Sequence, residues 1–166
     1  TEHPEQIIIV SGHIDSWDVG QGAMDDGGGC VASWEAARLM LKLGLKPRRT
    51  VRVVLWTNEE NGIRGAKEYA RRHADDLKNH VLAIESDSGV FKPSGYGFLG
   101  SGKGMETIQA VGRLLKPIQA GEIKKGCRGR RSRGTERWRA SSARIATRTH
   151  RAHATSSSLT PRSLSA

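Results

Sequence analysis

The residues of this chain best suited to chemistry are one histidine and six carboxylates, which fall into four short clusters. In chain order the clusters are His13 with Asp15, Asp25 with Asp26, Glu59 with Glu60, and Asp87. Carboxylates packed together repel one another, and each is driven toward its protonated form unless a cation neutralises the group. One imidazole with several carboxylates suits zinc and, less selectively, manganese or cobalt. The clusters therefore indicate a divalent-metal site, provided that the fold brings them together.

The spacing inside the clusters indicates how such a site would work. A carboxylate has two oxygens and can bridge two metal ions, an arrangement that aminopeptidases and phosphatases use to activate water. Asp15 lies two residues after His13, so its carboxylate is placed to accept the second imidazole N–H and fix the tautomer. In the pair Glu59-Glu60 successive side chains diverge, so that one can bind metal while the other faces the substrate as a base.

Apolar segments separate these clusters and predict the elements that position them. Residues 6–10, 50–57 and 81–85 are rich in β-branched residues and predict buried, mostly parallel strands, with a shorter strand at 96–99. Apolar residues at helical spacing predict three helices, with stripes at Cys30, Trp34, Ala37 and Leu41, at Ala66, Tyr69, Ala70 and His73, and at Met105, Ile108, Val111, Gly112 and Leu115. This alternation predicts an α/β three-layer sandwich with helices on both faces of the sheet.

The clusters all follow predicted strands, and ligands of open α/β sheets bind outside the carboxyl ends of the strands. Each cluster alone also fits a plainer interpretation: a surface pair for the first, a turn or helix cap for the second, a solvated turn for the third and a cap for Asp87. Their common position after strand ends is what favours a metal site. The glycines at 27–29 predict a close backbone approach and unusual φ/ψ angles before the first helix.

Residues 1–122 and 123–166 differ so strongly in composition that the whole-chain net charge of +10 describes neither part. The first part holds 15 Lys and Arg against 16 Asp and Glu, whereas the second holds 12 against one. The second part is rich in Arg, Ser, Thr and Ala and has no periodic apolar pattern, which predicts a disordered basic tail. The abrupt change favours the hypothesis that residues from about Lys124 onward arose from a frameshift in a GC-rich gene.

Other classes of protein are disfavoured. The arginines of residues 126–133 would neutralise phosphates and Trp138 would stack on a base, but no nucleic-acid-binding fold accompanies them, so a solvated basic segment is favoured. No run of 18 apolar residues exists that would span a membrane. Two cysteines, Cys30 and Cys127, are too few for a disulfide scaffold or a Cys-rich zinc site. A start at Thr1, without Met or a secretion-signal pattern, predicts a fragment.

Three motifs resemble those of the co-catalytic di-zinc exopeptidases. They are SGHIDSWDVGQGAMDDGGG at residues 11–29, LWTNEENG at 55–62 with Gly65-Ala66 after it, and ESDSG at 85–89. The resemblance runs from about Ile7 to about Gln119. It implies a zinc-dependent peptidase that hydrolyses a terminal peptide bond of small peptides, with a metal-bridging water as nucleophile. It also implies a secreted or lysosomal enzyme and leaves a homodimer open.

Carried over residue by residue, the resemblance implies a role for each cluster. The implied ligands are His13 and Asp87 for one zinc, Glu60 for the other and Asp25 between them, with Glu59 as general base and Asp15 as the partner of the His13 imidazole. The family needs one more histidine downstream, and this chain offers only His150 and His153, within unrelated Arg-rich sequence. Residues 1–122 are therefore expected to form a partial catalytic domain, and an impaired fragment with one metal or none is the alternative to an active enzyme.

Overall fold

The computed structural model describes residues 1–126 and the strand at 142–146, and its centre is one six-stranded sheet. The strands are β1 (His3–His13), β2 (Arg49–Trp56), β3 (His80–Glu85), β4 (Gly95–Leu99), β5 (Glu122–Lys125) and β6 (Ser142–Ala146). The helices are α1 (Gly28–Lys42), α2 (Arg64–Arg72) and α3 (Gly102–Leu115), with short 3-10 turns at Leu77–Asn79 and Lys116–Ile118. The four strands and three helices predicted from the pattern are all present, each extended or shortened by a few residues.

The sheet has the strand order β2-β1-β3-β6-β4-β5 and is mostly parallel. Strand β1 pairs in parallel with β2 on one side and β3 on the other, with His13 opposite Trp56 and Ser11 opposite Glu85. Strand β4 is parallel to β5 and β6, whereas β6 is antiparallel to β3. The carboxyl ends of β2, β1 and β3 therefore lie side by side at one edge, where the parallel-sheet rule expects a site.

Helices cover both faces of the sheet, so the predicted three-layer α/β arrangement is confirmed. A Cβ at Gly12 would lie 2.6 Å from the backbone nitrogen of Cys30, which places α1 on the face toward which Gly12 points. His13, the next residue of β1, points to the other face of the sheet, as does Trp56, its partner in β2. Trp56 packs edge-on against Tyr69 of α2, with ring centroids 5.4 Å apart. Helices α1 and α2 thus lie on opposite faces.

The third helix packs over the far part of the sheet. Phe98 of β4 and Ile108 of α3 are 1% and 7% exposed and form the centre of a hydrophobic cluster. The stripe predicted for α3 is confirmed at Ile108 and Gly112, which are buried, while Val111 at its margin is 42% exposed.

The apolar stripe predicted for α1 is wrong in its large members. The structure buries Gly29, Cys30 and Ser33, whereas Trp34 and Leu41 are 57% and 81% exposed. Small residues face the sheet because the start of α1 approaches the end of β1 so closely that no larger side chain fits between them.

The prediction for the glycines at 27–29 is confirmed for close approach and wrong for unusual backbone angles. Gly27 and Gly28 have φ of −55° and −63°, ordinary helical values. A Cβ at Gly29 would clash with the carbonyl oxygen of Ser86, which follows β3. These glycines therefore provide space, and the left-handed conformation occurs at Gly22 with φ of +65°.

The predicted tail begins inside an ordered part of the sheet. Residues 123–125 belong to β5, and residues 142–146 form β6 between β3 and β4. The rest of the predicted tail, including Trp138, His150 and His153, lies outside the described residues, so the disorder, the frameshift hypothesis and the nucleic-acid alternative stay predictions. In the part of the chain that is described, no helix has the length and apolar character needed to cross a membrane.

Tyr69 attaches α2 to the sheet through a polar network. The guanidinium of Arg52 in β2 donates to the Tyr69 hydroxyl, and this hydroxyl lies 2.8 Å from His80 Nε2 in β3. The other ring nitrogen of His80 lies 3.1 Å from the carbonyl oxygen of Asp76. Since α2 follows the loop that carries Glu59 and Glu60, this attachment helps to hold that loop at the sheet edge.

We predict that Tyr69→Phe destabilises the chain by about 1–3 kcal/mol, because it leaves the partly buried Arg52 and His80 without a shared partner. Chemical denaturation followed by tryptophan fluorescence measures the change in the free energy of unfolding. Tyr96→Phe in β4 is the matched control, since the Tyr96 hydroxyl takes no part in this network. A Tyr69→Phe change within about 0.5 kcal/mol of zero would contradict a structural role for the network.

Candidate metal centre

The carboxyl ends of three adjacent parallel strands carry most of the predicted site. The hydrogen bonds from Ile14 N to Trp56 O, 2.7 Å, and from Ser86 N to Ser11 O, 2.9 Å, continue the pairing of the strands just past their ends. His13 ends β1, the Glu59–Glu60 loop follows β2 and Asp87 follows β3, while Asp25 comes from the turn before α1. Strand order thus places three of the four predicted clusters together, and the turn before α1 adds the fourth.

His13 is the centre of the site and is buried, with 1% of its surface exposed. Its Nε2 atom lies 3.1 Å from Asp25 Oδ1 and 3.4 Å from Asp87 Oδ1. One ligand atom from each of these three residues lies within 4.8 Å of the others, a separation that a single cation can span. Of the predicted metal ligands, the structure therefore brings His13, Asp25 and Asp87 into one group, called here the three-ligand group.

The other ring nitrogen of His13 fixes the tautomer, but not through the predicted atom. Nδ1 lies 2.9 Å from the backbone carbonyl oxygen of Asp15 and 3.7 Å from its carboxylate. A carbonyl oxygen only accepts, so Nδ1 carries the proton and the Nε2 lone pair of the neutral ring faces Asp25 and Asp87. This is the orientation that a metal-binding imidazole requires.

The Asp15 carboxylate has a different task from the predicted one. Its two oxygens accept the backbone N–H groups of Glu59 at 2.9 Å and of Glu60 at 3.2 Å. Burial raises the pKa of Asp15, but these hydrogen bonds outweigh burial, so its pKa is lowered. Asp15 therefore remains charged and ties the loop after β2 to the loop after β1, while its carbonyl orients His13.

The electrostatics around His13 are those of an anionic pocket. Burial alone would lower the pKa of His13, but the Asp15 carbonyl and the charges of Asp87, Asp26 and Glu59 together raise its pKa. When no other cation is near, these carboxylates stabilise a proton on Nε2 and so favour the charged form of the ring. A divalent metal supplies the same compensation with greater charge and with the ring neutral.

Glu60 gives a second sign that the pocket suits a cation. Its Oε1 atom is buried and has no hydrogen-bond partner among the described residues. Burial raises the pKa of Glu60, and the neighbouring charge of Asp25 raises it further. A buried, unpartnered oxygen beside another carboxylate is costly unless a cation lies between them. The residues present thus fit one metal at His13, Asp25 and Asp87, with the charge of Glu60 nearby.

Asp26 has a structural role that the sequence analysis left open, because the analysis treated Asp25 and Asp26 as one cluster. It is 1% exposed, and its carboxylate accepts the N–H of His13 and the N–H of Gly29, each at 3.0 Å. Burial raises the pKa of Asp26 to about 6 against the opposing effect of these hydrogen bonds. The helix-cap interpretation of the second cluster holds for Asp26, and the metal interpretation fits its neighbour Asp25. An Asp three residues before a helical N–H was the signal available in the sequence.

An open α/β sheet with a histidine–carboxylate group at the strand ends fits the site of a hydrolase, and the comparisons with known proteins agree. The model of Peptidase family M28 matches residues 1–130. The chain belongs to this family, as the resemblance of its motifs predicted.

Relatives within the family match over most of this chain. Human carboxypeptidase Q is 50% identical over 123 residues, and that of Xenopus laevis is 52% identical over 118. These matches cover 74% and 71% of this chain but 26% and 25% of the relatives, so the chain spans about a quarter of their length. The crystal structure of a peptidase M28 precursor from Shewanella amazonensis superposes with a TM-score of 0.72 at 26% identity, covering 89% of this chain and 33% of that one.

We predict that Asp25→Asn and Asp26→Asn differ in their effect on the stability of the metal-free chain, although they alter adjacent and chemically identical residues. Asp26→Asn replaces one of two buried acceptors by an NH₂ group and should lower the free energy of unfolding of the metal-free chain by about 1–3 kcal/mol. Asp25→Asn alters a largely exposed side chain and should change it by less than about 0.5 kcal/mol. Urea denaturation in the presence of a chelator measures both. Equal losses would contradict the division of labour described here.

Proposed function

We propose that this chain carries the metal centre and catalytic base of a zinc-dependent exopeptidase that hydrolyses terminal peptide bonds of small peptides. The single observation that supports this most is the convergence of His13, Asp25 and Asp87 within 4.8 Å at the ends of parallel strands. Membership of a peptidase family and the similarity to carboxypeptidase Q support the reaction class. A secreted or lysosomal location is part of the same proposal.

His13, Asp25, Asp87 and Glu60 would hold the zinc, which when bound would supply Lewis-acid polarisation of the scissile carbonyl and a more acidic water. The protein residues then have separate tasks. The Asp15 carbonyl keeps the proton of His13 on Nδ1, so that Nε2 stays available as a ligand. Asp25 Oδ1 lies 3.1 Å from His13 Nε2, and the charge of Asp25 raises the pKa of Glu60, so this carboxylate acts on both of these proposed ligands.

Glu59 is the proposed general base. Its backbone N–H is fixed 2.9 Å from the Asp15 carboxylate, and its charge acts on both His13 and Glu60, so its carboxylate lies near the centre without belonging to the three-ligand group. In this position it would take a proton from the attacking water and return it to the leaving amine.

A second candidate function is a catalytically impaired fragment that binds one metal ion. The observation that favours it is that Glu60 lies outside the group of His13, Asp25 and Asp87, which is the one group of three potential ligands among the described residues. Asp25 and Glu60 alone would give a second zinc two protein ligands, one fewer than the three that catalytic sites normally supply. The two candidates differ in zinc stoichiometry.

We predict that the chain, freed of metal and titrated with zinc, binds at least one ion, and that Asp87→Asn weakens this binding more than about 100-fold. Loss of an outer partner already costs 10–100-fold, and a direct ligand contributes more. Isothermal titration calorimetry measures affinity and stoichiometry together. Asp18→Asn is the control, because Asp18 is an exposed carboxylate of the neighbouring loop. Equal affinity of both variants would remove the basis of the proposed site, whereas two zinc ions per chain would exclude the one-metal alternative.

We predict that the zinc-loaded chain hydrolyses unblocked dipeptides and that Glu59→Gln lowers kcat by about 10²–10⁴-fold, the usual contribution of a general base. Zinc stoichiometry of Glu59→Gln should stay unchanged, because this residue lies outside the three-ligand group. Release of free amino acids, followed by amine labelling, gives the rate. Unaltered kcat in Glu59→Gln would exclude Glu59 as the base, and no turnover in the unaltered chain would favour the impaired fragment.

A further inference from the structure

A cleft of about 470 Å³, called here the α2 cleft, lies between the end of β2 and helix α2. Its volume is within the range of about 300–1,000 Å³ that is usual for small-ligand sites. None of the residues that line it belongs to the three-ligand group. The turn after β2 and one face of α2 line it, chiefly with Thr57, Asn58, Arg64, Glu68, Tyr69 and Arg72.

The α2 cleft lies where α2 begins very close to the end of β2. A Cβ at Gly65 would lie 2.5 Å from the carbonyl oxygen of Thr57, so the close approach requires glycine. The backbone N–H groups of Arg64 and Gly65 donate to the carbonyl oxygens of Asn58 and Thr57, at 3.0 and 2.9 Å. Because these N–H groups of the first helical turn are already paired, the donors that the cleft offers to a ligand are side chains.

Two guanidinium groups determine which ligands the α2 cleft can bind. Arg64, Glu68 and Arg72 follow one another at intervals of four residues, so they lie on the same face of α2. Within residues 1–126, no hydrogen bond or ion pair engages the guanidinium of Arg64, which is an exposed residue. Arg72 donates from Nε to Glu68 Oε1 at 2.7 Å, and this leaves its terminal nitrogens available to a ligand.

The charge of the α2 cleft matches a ligand with a single negative charge. Hydrogen bonds from Arg71 and Arg72 lower the pKa of Glu68 to about 2, so Glu68 is charged at neutral pH. The residues that line the cleft therefore have one positive charge in excess. A carboxylate has one negative charge, and its two oxygens match the paired N–H groups of a guanidinium. A phosphate group has about 1.5–2 negative charges at pH 7, more than this excess.

We propose that the α2 cleft is a binding site for the carboxylate of a small organic ligand, such as an amino acid or a short peptide. Arg64 donates to the carboxylate, and Arg72 adds a second positive charge on the same helix face. Asn58 directly precedes the proposed base Glu59, with about 3.8 Å between their Cα atoms, so the ligand lies against the turn that leads to the metal centre. Binding at this site requires no hydrolysis, so it is independent of the proposed exopeptidase function.

The test is an NMR titration of the ¹⁵N-labelled, zinc-loaded full chain with N-acetylalanine and N-acetylalaninamide, which differ only in the carboxylate. N-acetylalanine should shift the amide signals of Asn58 and Gly65 and bind at least about 10-fold more tightly, as expected for a charge-assisted hydrogen bond. Arg64→Gln should weaken its binding by about 10- to 100-fold and leave that of N-acetylalaninamide unchanged. Arg64→Lys keeps the charge without the paired N–H groups and should give an intermediate affinity. Inorganic phosphate should bind at least about 10-fold more weakly than N-acetylalanine.

Arg113→Gln is the matched control, because it removes the same charge from an exposed position on α3 and should leave both affinities unaltered. Equal affinity for the two probes, or no shift of the Asn58 and Gly65 signals with either, would overturn the carboxylate site. Undiminished binding of N-acetylalanine to Arg64→Gln would mean that the carboxylate binds elsewhere, for example to the zinc, and would overturn it as well. Phosphate binding as tight as that of N-acetylalanine would overturn the preference for a carboxylate.

Discussion

The rest of the site depends on the two hydrogen bonds that the buried carboxylate of Asp26 accepts. It joins the end of β1 to the first turn of α1 by accepting the N–H groups of His13 and Gly29. A Cβ at Gly12 would lie 2.7 Å from one of its oxygens, so the glycine in the strand and the buried acid form one unit. This unit fixes the backbone of His13. It also fixes the position of Asp25, which directly precedes Asp26 in the turn before α1.

A second carboxylate extends this order across the sheet edge. Asp15 uses its carbonyl to orient the His13 ring and its carboxylate to hold the backbone of Glu59 and Glu60. Two acids that do not belong to the three-ligand group thus position the residues that surround it. The cost is a dense negative charge, visible in the raised pKa of Glu60, which is caused first by burial and then by Asp25. A bound cation would offset that cost, so the order of the site and its proposed metal affinity would have the same origin.

The sequence predicted the gathering of the clusters because three of them directly follow parallel strands that end at the same edge, and the fourth lies in the connection from β1 to α1. It did not predict which member of Asp25-Asp26 is buried, since that depends on how closely α1 approaches β1. The same distance explains the wrong stripe on α1, where Ser33 faces the sheet and Trp34 faces solvent. Likewise, the spacing of two residues predicted that Asp15 lies near His13. It did not predict that the Asp15 carboxylate accepts the backbone N–H groups of Glu59 and Glu60, because that depends on where the loop after β2 lies.

X-ray absorption spectroscopy of the zinc-loaded chain tests the central claim, that His13, Asp25 and Asp87 bind one cation together. The account predicts a first shell with one imidazole nitrogen and otherwise oxygen, at about 2.0–2.2 Å, and no sulfur. A sulfur neighbour at about 2.3 Å would mean that Cys30 or Cys127 binds the metal, and several imidazoles would mean that histidines outside the sheet edge do. Either spectrum would contradict a metal centre built by Asp26 and the parallel strand ends.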